Sequence, residues 1–437
     1  MKIDWLRDKA GVLAERNFRH FYTGYVTSLL GTSMSSIALT WAVFDSHYGT
    51  TALGLVMFAN VVPLVLLMAV AGAIADRFGR RRVMLGADVI RCLAQALLAV
   101  LLVPAHLFPL APFAGHPPLW AFLVLVSFKA TGEAFFTPAL QGLTVEMAPP
   151  DQLGNANAMY GLARSATTIA GPSLAGILVA VTDPAVVIGA DALSYLVSVL
   201  ALSTLRIPRP ASQATAASQA AASQATLFQD IKEGWSEFRS RTWLWVVTVQ
   251  WAFLNLITWA PFLLLGQAMA KAYLGGPRAW GAIMAAEGAG AVLAGLLVLG
   301  RKPRRPMVVA TIATFCYAFP DIPLALHASV IWVALTAFIL GLASAPTGAY
   351  FSTAVQQQVP ADKLARVNSL ITFPNYGIGV IGFAIDGPLA SAFGAQLIFG
   401  VGAVYGLLST AVVLSLPSIR KLEWRNSPAP EVVMAEP

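Results

Sequence analysis

Lys129 and Glu133 stand four residues apart in the stretch SFKATGEAFF, inside a long apolar run. At helical pitch that spacing puts both side chains on one face, one turn apart, where an ammonium and a carboxylate can pair. Asp88 and Arg91 stand three apart in a second apolar run, and Arg164 lies in a third. Ionisable side chains in such surroundings are costly to bury and are usually functional. The chemistry open to this set is proton exchange: Glu133 can take up or release a proton as its access to water and its balance with Lys129 change. The same five residues can equally form a static network tying three helices together. All five belong to the first half of the chain. At comparable depth the second half offers Glu287, and otherwise amides and aromatics: Gln250, Trp251, Asn255 and Trp259, then Asn375 and Tyr376. Small hydroxyls at Thr32, Ser33, Ser35 and Ser36 add uncharged hydrogen-bonding groups near the first run.

These residues need elements that hold them away from water. Of 437 residues, 57% are hydrophobic and only 11% charged, against roughly a quarter charged in soluble domains. Apolar runs of about 20 residues, the length that crosses a bilayer, recur throughout. Read between charges, Gly/Pro breaks and polar turns, they predict twelve helices near 19–44, 51–75, 82–104, 119–145, 154–180, 186–205, 243–269, 279–299, 307–326, 329–357, 364–391 and 393–416. The fold class expected is therefore an all-α polytopic membrane protein. Lys and Arg crowd one set of connecting segments, whereas the opposite set holds only Lys271 and Arg278. By the positive-inside rule both termini are cytoplasmic, in the plasma (inner) membrane. The net charge of +7 is thus a topology signal, and nucleic acid is not an expected partner; the lipid bilayer is. Cys92 and Cys316 sit inside apolar runs, so no disulfide is expected. No His/Asp cluster, nucleotide loop or metal-ligand spacing occurs, which disfavours an enzyme and implies no metal or cofactor.

The chain divides in the middle. RPASQATAASQAAASQATLFQ is low-complexity and nearly uncharged, the composition of a linker, and Leu227, Ile231, Trp235 and Phe238 after it recur at helical spacing, as in a short amphipathic helix on the inner membrane face. The expected organisation is a six-helix bundle over 1–205, a cytoplasmic linker over 206–242, a second bundle over 243–417 and a tail over 418–437. The halves also align without gaps from Pro149 and from Pro360, with Asp151/Asp362, Leu153/Leu364, Asn157/Asn368, Gly171/Gly382 and Gly176/Gly387 coinciding. A parallel duplication is the natural reading.

Between the second and third helices lies GAIADRFGRRRV, residues 72–83. Gly72, one turn before Asp76, permits close approach of another helix, and Gly79 permits a tight turn. Asp76 is an acid where topology favours bases, and the N-terminus of a neighbouring helix could receive it. This stretch resembles the loop 2–3 signature of the major facilitator superfamily. RNFRHFYTGYVTSLLG, TPALQGLTVEMAPPDQLGNANAM and DALSYLVSVLAL extend the likeness to the branch containing macrolide-efflux proteins and the enterobactin exporter. The resemblance implies two pseudo-symmetric bundles rocking about a central site. It implies a latch built from Gly72, Asp76, Arg77, Gly79, Arg80 and Arg81, with Asp76 engaging the start of helix 11 near Lys363 to Asn368 in the outward-facing state. IAGPSLAG, with Gly171, Pro172 and Gly176, resembles the helix 5 motif of the superfamily's proton-coupled antiporters. Together these imply a monomeric exporter of a small amphipathic molecule (a drug, a macrolide-like compound or a siderophore) in exchange for protons. An importer or facilitator of an organic anion or lipid is the alternative. Proton coupling falls to Glu133, Lys129, Asp88, Arg91 and Arg164, and the substrate cavity to Ser36, Trp251, Asn255, Asn375 and Tyr376.

Overall fold

A computed structural model describes residues 15–103, 113, 115–147, 152–205, 235–298, 301, 303–360 and 363–423. Among the described residues, twelve helices are long and apolar enough to cross a membrane. In the first half these are α1 (Arg16–Asp45), α2 (Thr50–Phe78), α3 (Arg80–Leu101), α4 (Leu119–Met147), α5 (Leu153–Val181) and α6 (Pro184–Thr204). In the second they are α7 (Thr242–Leu274), α8 (Pro277–Val298), α9 (Pro306–Ala325), α10 (Val330–Gln358), α11 (Leu364–Phe393) and α12 (Ala395–Ser415). Most of the linker, including Leu227 and Ile231, lies outside the described residues. Its last part, 235–240, is helical, with Phe238 buried against Trp243 and Leu244 of α7 and Trp235 exposed.

Two helices depart from regularity where the sequence removes backbone donors. Pro261 has no N–H for the carbonyl of Ile257, and α7 widens there into a π-turn over Asn255–Trp259; π-turns of this kind gather at functional sites. A second π-turn, Ala270–Leu274, ends α7 at Gly275, whose φ of +106° suits a residue without a Cβ. Helix α9 is interrupted after Thr314 by a 3-10 turn, Phe315–Ala318, and resumes over Asp321–Ala325 beyond Pro320.

Within the first half, α1 packs on α5 and α6, and α4 on α2 and α3; α8 and α9 pack on α10 in the second. Across the halves α2 meets α11, and α5 meets α8. The duplication exchanges these two seams, since α2 corresponds to α8 and α5 to α11. Both seams are backbone-close. A Cβ at Gly176 of α5 would lie 2.7 Å from the Pro277 carbonyl oxygen and 2.9 Å from the Gly281 Cα of α8, and one at Gly387 of α11 would lie 2.5 Å from the Thr51 Cα of α2. All of these residues sit at one end of the molecule, opposite to that where α1 begins and α12 ends. At this far end Lys271 Nζ also donates to the Phe44 carbonyl at 3.0 Å.

The buried apolar side chains follow the same division. At the far end one continuous core joins both halves, from Trp41, Phe44 and Phe122 to Phe262, Trp280 and Phe399. At the near end the cores are separate. Phe21, Met84, Leu143 and Leu202 belong to the first half alone, and Trp243, Val247, Met307 and Ile419 to the second alone. The bundles are joined at the far end and parted at the near one. That parting is why nothing lies within 4 Å of a Cβ at Gly72, where the sequence predicts close approach of another helix.

Candidate functional site

Each half holds a chamber, and the duplication relates the two. The first, of about 250 Å³, is bounded by α1, α3, α4 and α5, with Tyr25, Arg91, Glu133, Tyr160 and Arg164 on its walls. The second is bounded by the matching helices α7, α9, α10 and α11. It comprises a cavity of about 450 Å³ and an adjoining one of about 280 Å³, which share Trp251, Asn255, Trp259, Tyr317 and Ser344.

Behind the first chamber lies a packed polar network. Arg91 and Asp88 form a buried ion pair. Ser198 of α6 donates to Asp88 Oδ2 at 2.6 Å. The Arg91 guanidinium lies 4.3 Å from the Phe136 ring centroid and 4.5 Å from that of Tyr195, a cation held between two π faces. The Tyr195 hydroxyl in turn meets Thr32 Oγ1 at 2.7 Å. One turn further along α3, Gln95 Nε2 donates to Asp191 Oδ2 at 2.6 Å and to Ser35 Oγ at 2.5 Å. Lys129 is buried. The expected Lys129–Glu133 pair does not form: no ion pair among the described residues joins them. Lys129 is turned into the interior, whereas Glu133 faces the chamber with Arg164. Helical spacing puts two side chains on one face, but it does not by itself make them pair.

The second chamber takes in Trp251, Asn255 and Asn375. The side chain of Tyr376 lies outside the described residues. Ser36 is on neither wall; its hydroxyl turns back to the Ser33 carbonyl at 2.8 Å, as helical serines often do. Glu287 of α8 lines the smaller cavity. Two further acids of the second half are buried, against the expectation that Glu287 stands alone there. Asp321 of α9 and Asp386 of α11 are 0% and 3% exposed. Both oxygens of Asp321 and Oδ2 of Asp386 lack a hydrogen-bond partner. Asp191, Asp321 and Asp386 each interrupt an apolar run, a signal present in the sequence. The halves thus differ at corresponding places. In α3, Arg91 lines a chamber and Gln95, one turn on, meets the acid of α6; in α9, Tyr317 lines a chamber and Asp321, one turn on, abuts Gly402 of α12.

At the near end Gly79 turns the chain with a φ of +91°. Arg80 binds the Gly142 carbonyl at 2.8 Å and Glu146 at 3.1 Å, and Arg81 binds the carbonyls of Leu202 and Ser203 at 2.8 and 2.6 Å. These arginines fasten the α2–α3 turn to α4 and α6 of their own half. Arg77 is exposed, and the Asp76 side chain lies outside the described residues. Lys363, at the start of α11, meets Glu237 of the 235–240 helix at 3.2 Å. Arg241, foremost, and Lys363 hold the Glu237 carboxyl below the ordinary glutamate range. A lowered value means that this clasp is complete at neutral pH and is lost as pH falls through it. In α5, Ser33 Oγ donates to the Thr167 carbonyl at 2.9 Å; Gly171 admits Ser33, and Gly176 admits α8.

A family model described as Major Facilitator Superfamily matches residues 21–382. The multidrug efflux pump Tap of Mycolicibacterium fortuitum is 25% identical over 423 residues, which cover 92% of this chain and 96% of the relative. Macrolide efflux protein A of Streptococcus pyogenes is 24% identical over 192 residues, 43% of this chain and 45% of that protein. Among solved structures, the peptide transporter POT in complex with sulfate superposes with a TM-score of 0.66 at 15% identity, covering 95% of this chain and 99% of its own. A D-xylose-proton symporter gives 0.64 at 16%, covering 92% and 99%. At such identities the structures share the fold alone.

Proposed function

The chain belongs to the major facilitator superfamily, and on that premise we propose that it exports a small amphipathic molecule across the plasma membrane by alternating access, in exchange for protons. Full-length similarity to a multidrug efflux pump is the observation that carries the export reading. The matched chambers, one in each of two bundles that part at the near end, give a substrate a place to enter. In the orientation set by the Lys and Arg distribution, the near end is cytoplasmic and the arrangement is inward-facing. Export then begins with cargo entering from the cytoplasm or the inner leaflet.

The wedge shape supports alternating access. Swinging the near ends together would bring the α2–α3 turn toward the start of α11, where Asp76 would reach the Lys363–Asn368 segment as the far-end seams separate. Arg80 and Arg81 stay with their own half and serve to carry Asp76 with it. The proton acceptor of this reading is Glu133, the acid that faces the first chamber, while Asp88, Arg91 and Lys129 remain paired or balanced behind it. The protein acts as a monomer in this scheme, each bundle supplying one wall of the pathway.

Everted membrane vesicles with an imposed pH gradient test the reading against cationic, neutral and anionic amphiphiles. Gradient-driven accumulation is expected, and Glu133→Gln should abolish the response to the gradient while leaving substrate counterflow. Accumulation only in right-side-out vesicles would overturn export, and gradient-driven accumulation by Glu133→Gln equal to the parent's would overturn the coupling role.

A further inference from the structure

The walls of the second chamber are biased toward one sign of charge. Thr248 Oγ1 donates to the Leu244 carbonyl at 2.8 Å, Ser344 Oγ to Gly341 at 2.8 Å and Thr347 Oγ1 to Ala343 at 2.6 Å. Thr258 Oγ1 donates to the Gly402 carbonyl at 3.4 Å. Asn255 Nδ2 donates to Trp251 at 3.0 Å, and Asn375 Nδ2 to Ile371 at 2.6 Å. Each hydroxyl has thereby spent its one proton on a main-chain carbonyl, and what it retains is lone pairs. Each amide gives one N–H to its own helix and keeps its oxygen as an acceptor beside a second N–H; Asn375 Oδ1 is itself buried and has no partner.

Charge and ring placement point the same way. Among the described residues lining the two cavities, Glu287 is the one ionisable carboxyl, and none is Lys or Arg. No hydrogen bond or ion pair of the described residues engages Glu287, so it does not serve as a tie between helices. Trp251, Trp259 and Tyr317 line the same cavity as Glu287, with Trp251 and Tyr317 edge-to-face at 4.7 Å, and Phe351 lines the adjoining one. Aromatic faces attract cations of diffuse charge; a hard ion such as a divalent metal would instead need a shell of several oxygens. The combined space falls within the range of about 300–1,000 Å³ that suits a small organic molecule.

We propose that this chamber binds a hydrophobic organic cation, with Glu287 as its counter-charge, the aromatic rings as its walls and the Asn255 oxygen as an acceptor for any N–H it carries. The assignment rests on the export reading in taking the chamber as the substrate site, and it narrows the cargo from amphipathic molecules in general to cationic ones. The first chamber, with Arg91 and Arg164 on its wall, lacks this bias.

Tetraphenylphosphonium and tetraphenylborate have the same shape and opposite charge, and equilibrium dialysis of the purified full-length protein in nanodiscs can compare them without any transport step. The phosphonium should bind and the borate should not compete with it. Glu287→Gln should weaken phosphonium binding about tenfold or more, the scale of one lost charge contact. Ser344→Lys, which puts a cation on the same wall, should weaken it at least as much; the second variant covers the case in which the first fails to fold. Borate binding as tight as phosphonium binding, or full phosphonium affinity in a folded Glu287→Gln protein, would overturn the proposal. Glu287-dependent binding without gradient-driven transport would instead leave the site standing and remove the export reading.

Discussion

The most consequential single residue in the first half is Arg91. Its guanidinium neutralises Asp88 and fills the space between Phe136 and Tyr195, so it supplies charge balance and packing at once. Arg91→Leu would leave Asp88, 0% exposed, facing Ser198 alone, and breaking such a buried pair costs about 3–5 kcal/mol. Thermal unfolding in detergent should show a large loss for the single variant and recovery of much of it in Asp88→Asn/Arg91→Leu, where no charge is stranded. At this scale the sequence was informative about which residues are special and poor on who meets whom. Asp88 and Arg91 pair as three-residue spacing suggests. Lys129 and Glu133 share a helical face yet part company: Lys129 is buried, and Glu133 lines the first chamber. Asp321 and Asp386 were visible as breaks in apolar runs, but no local pattern says that both are buried away from any donor.

At the level of elements, the helix-length apolar runs lie within a few residues of the observed spans, since a bilayer crossing leaves few alternatives. What periodicity does not carry is deviation from a straight rod. The π-turn that places Asn255 and Trp259 on one wall is signalled only by Pro261, and the interruption of α9 by Pro320 and Pro323. The glycines that read as packing sites divide according to which end of the bundle they occupy. Gly72 faces open space, whereas Gly176 is pressed against α8. Gly176→Leu should favour helix formation in α5 while holding the α5–α8 seam apart, because the new side chain meets main chain rather than movable atoms. Spin labels at the far ends of α1 and α7 should then report longer distances than in the parent protein. Unchanged distances would mean that the seam can shift to admit a side chain and that its glycine is not what sets closure.

For the molecule as a whole, the duplication read from short identities around Pro149 and Pro360 reappears as matched chambers and exchanged seams, although the chambers differ in charge. Two bundles, each with its own near-end core, share a single apolar core at the far end. On the proposed alternating-access scheme the two directions of rocking are therefore unlike. Bringing the near ends together joins surfaces that are already complete, while opening the far end splits a common core and wets residues such as Phe44, Phe262 and Trp280. Wetting apolar surface raises heat capacity, and the penalty for doing so shrinks on cooling. The equilibrium between the two shapes should thus bend with temperature, and chilling should enrich the outward-open population. Label distances measured across a temperature series would give a curved van't Hoff plot, whereas a straight line would indicate that lipid, not water, fills the cleft as it forms.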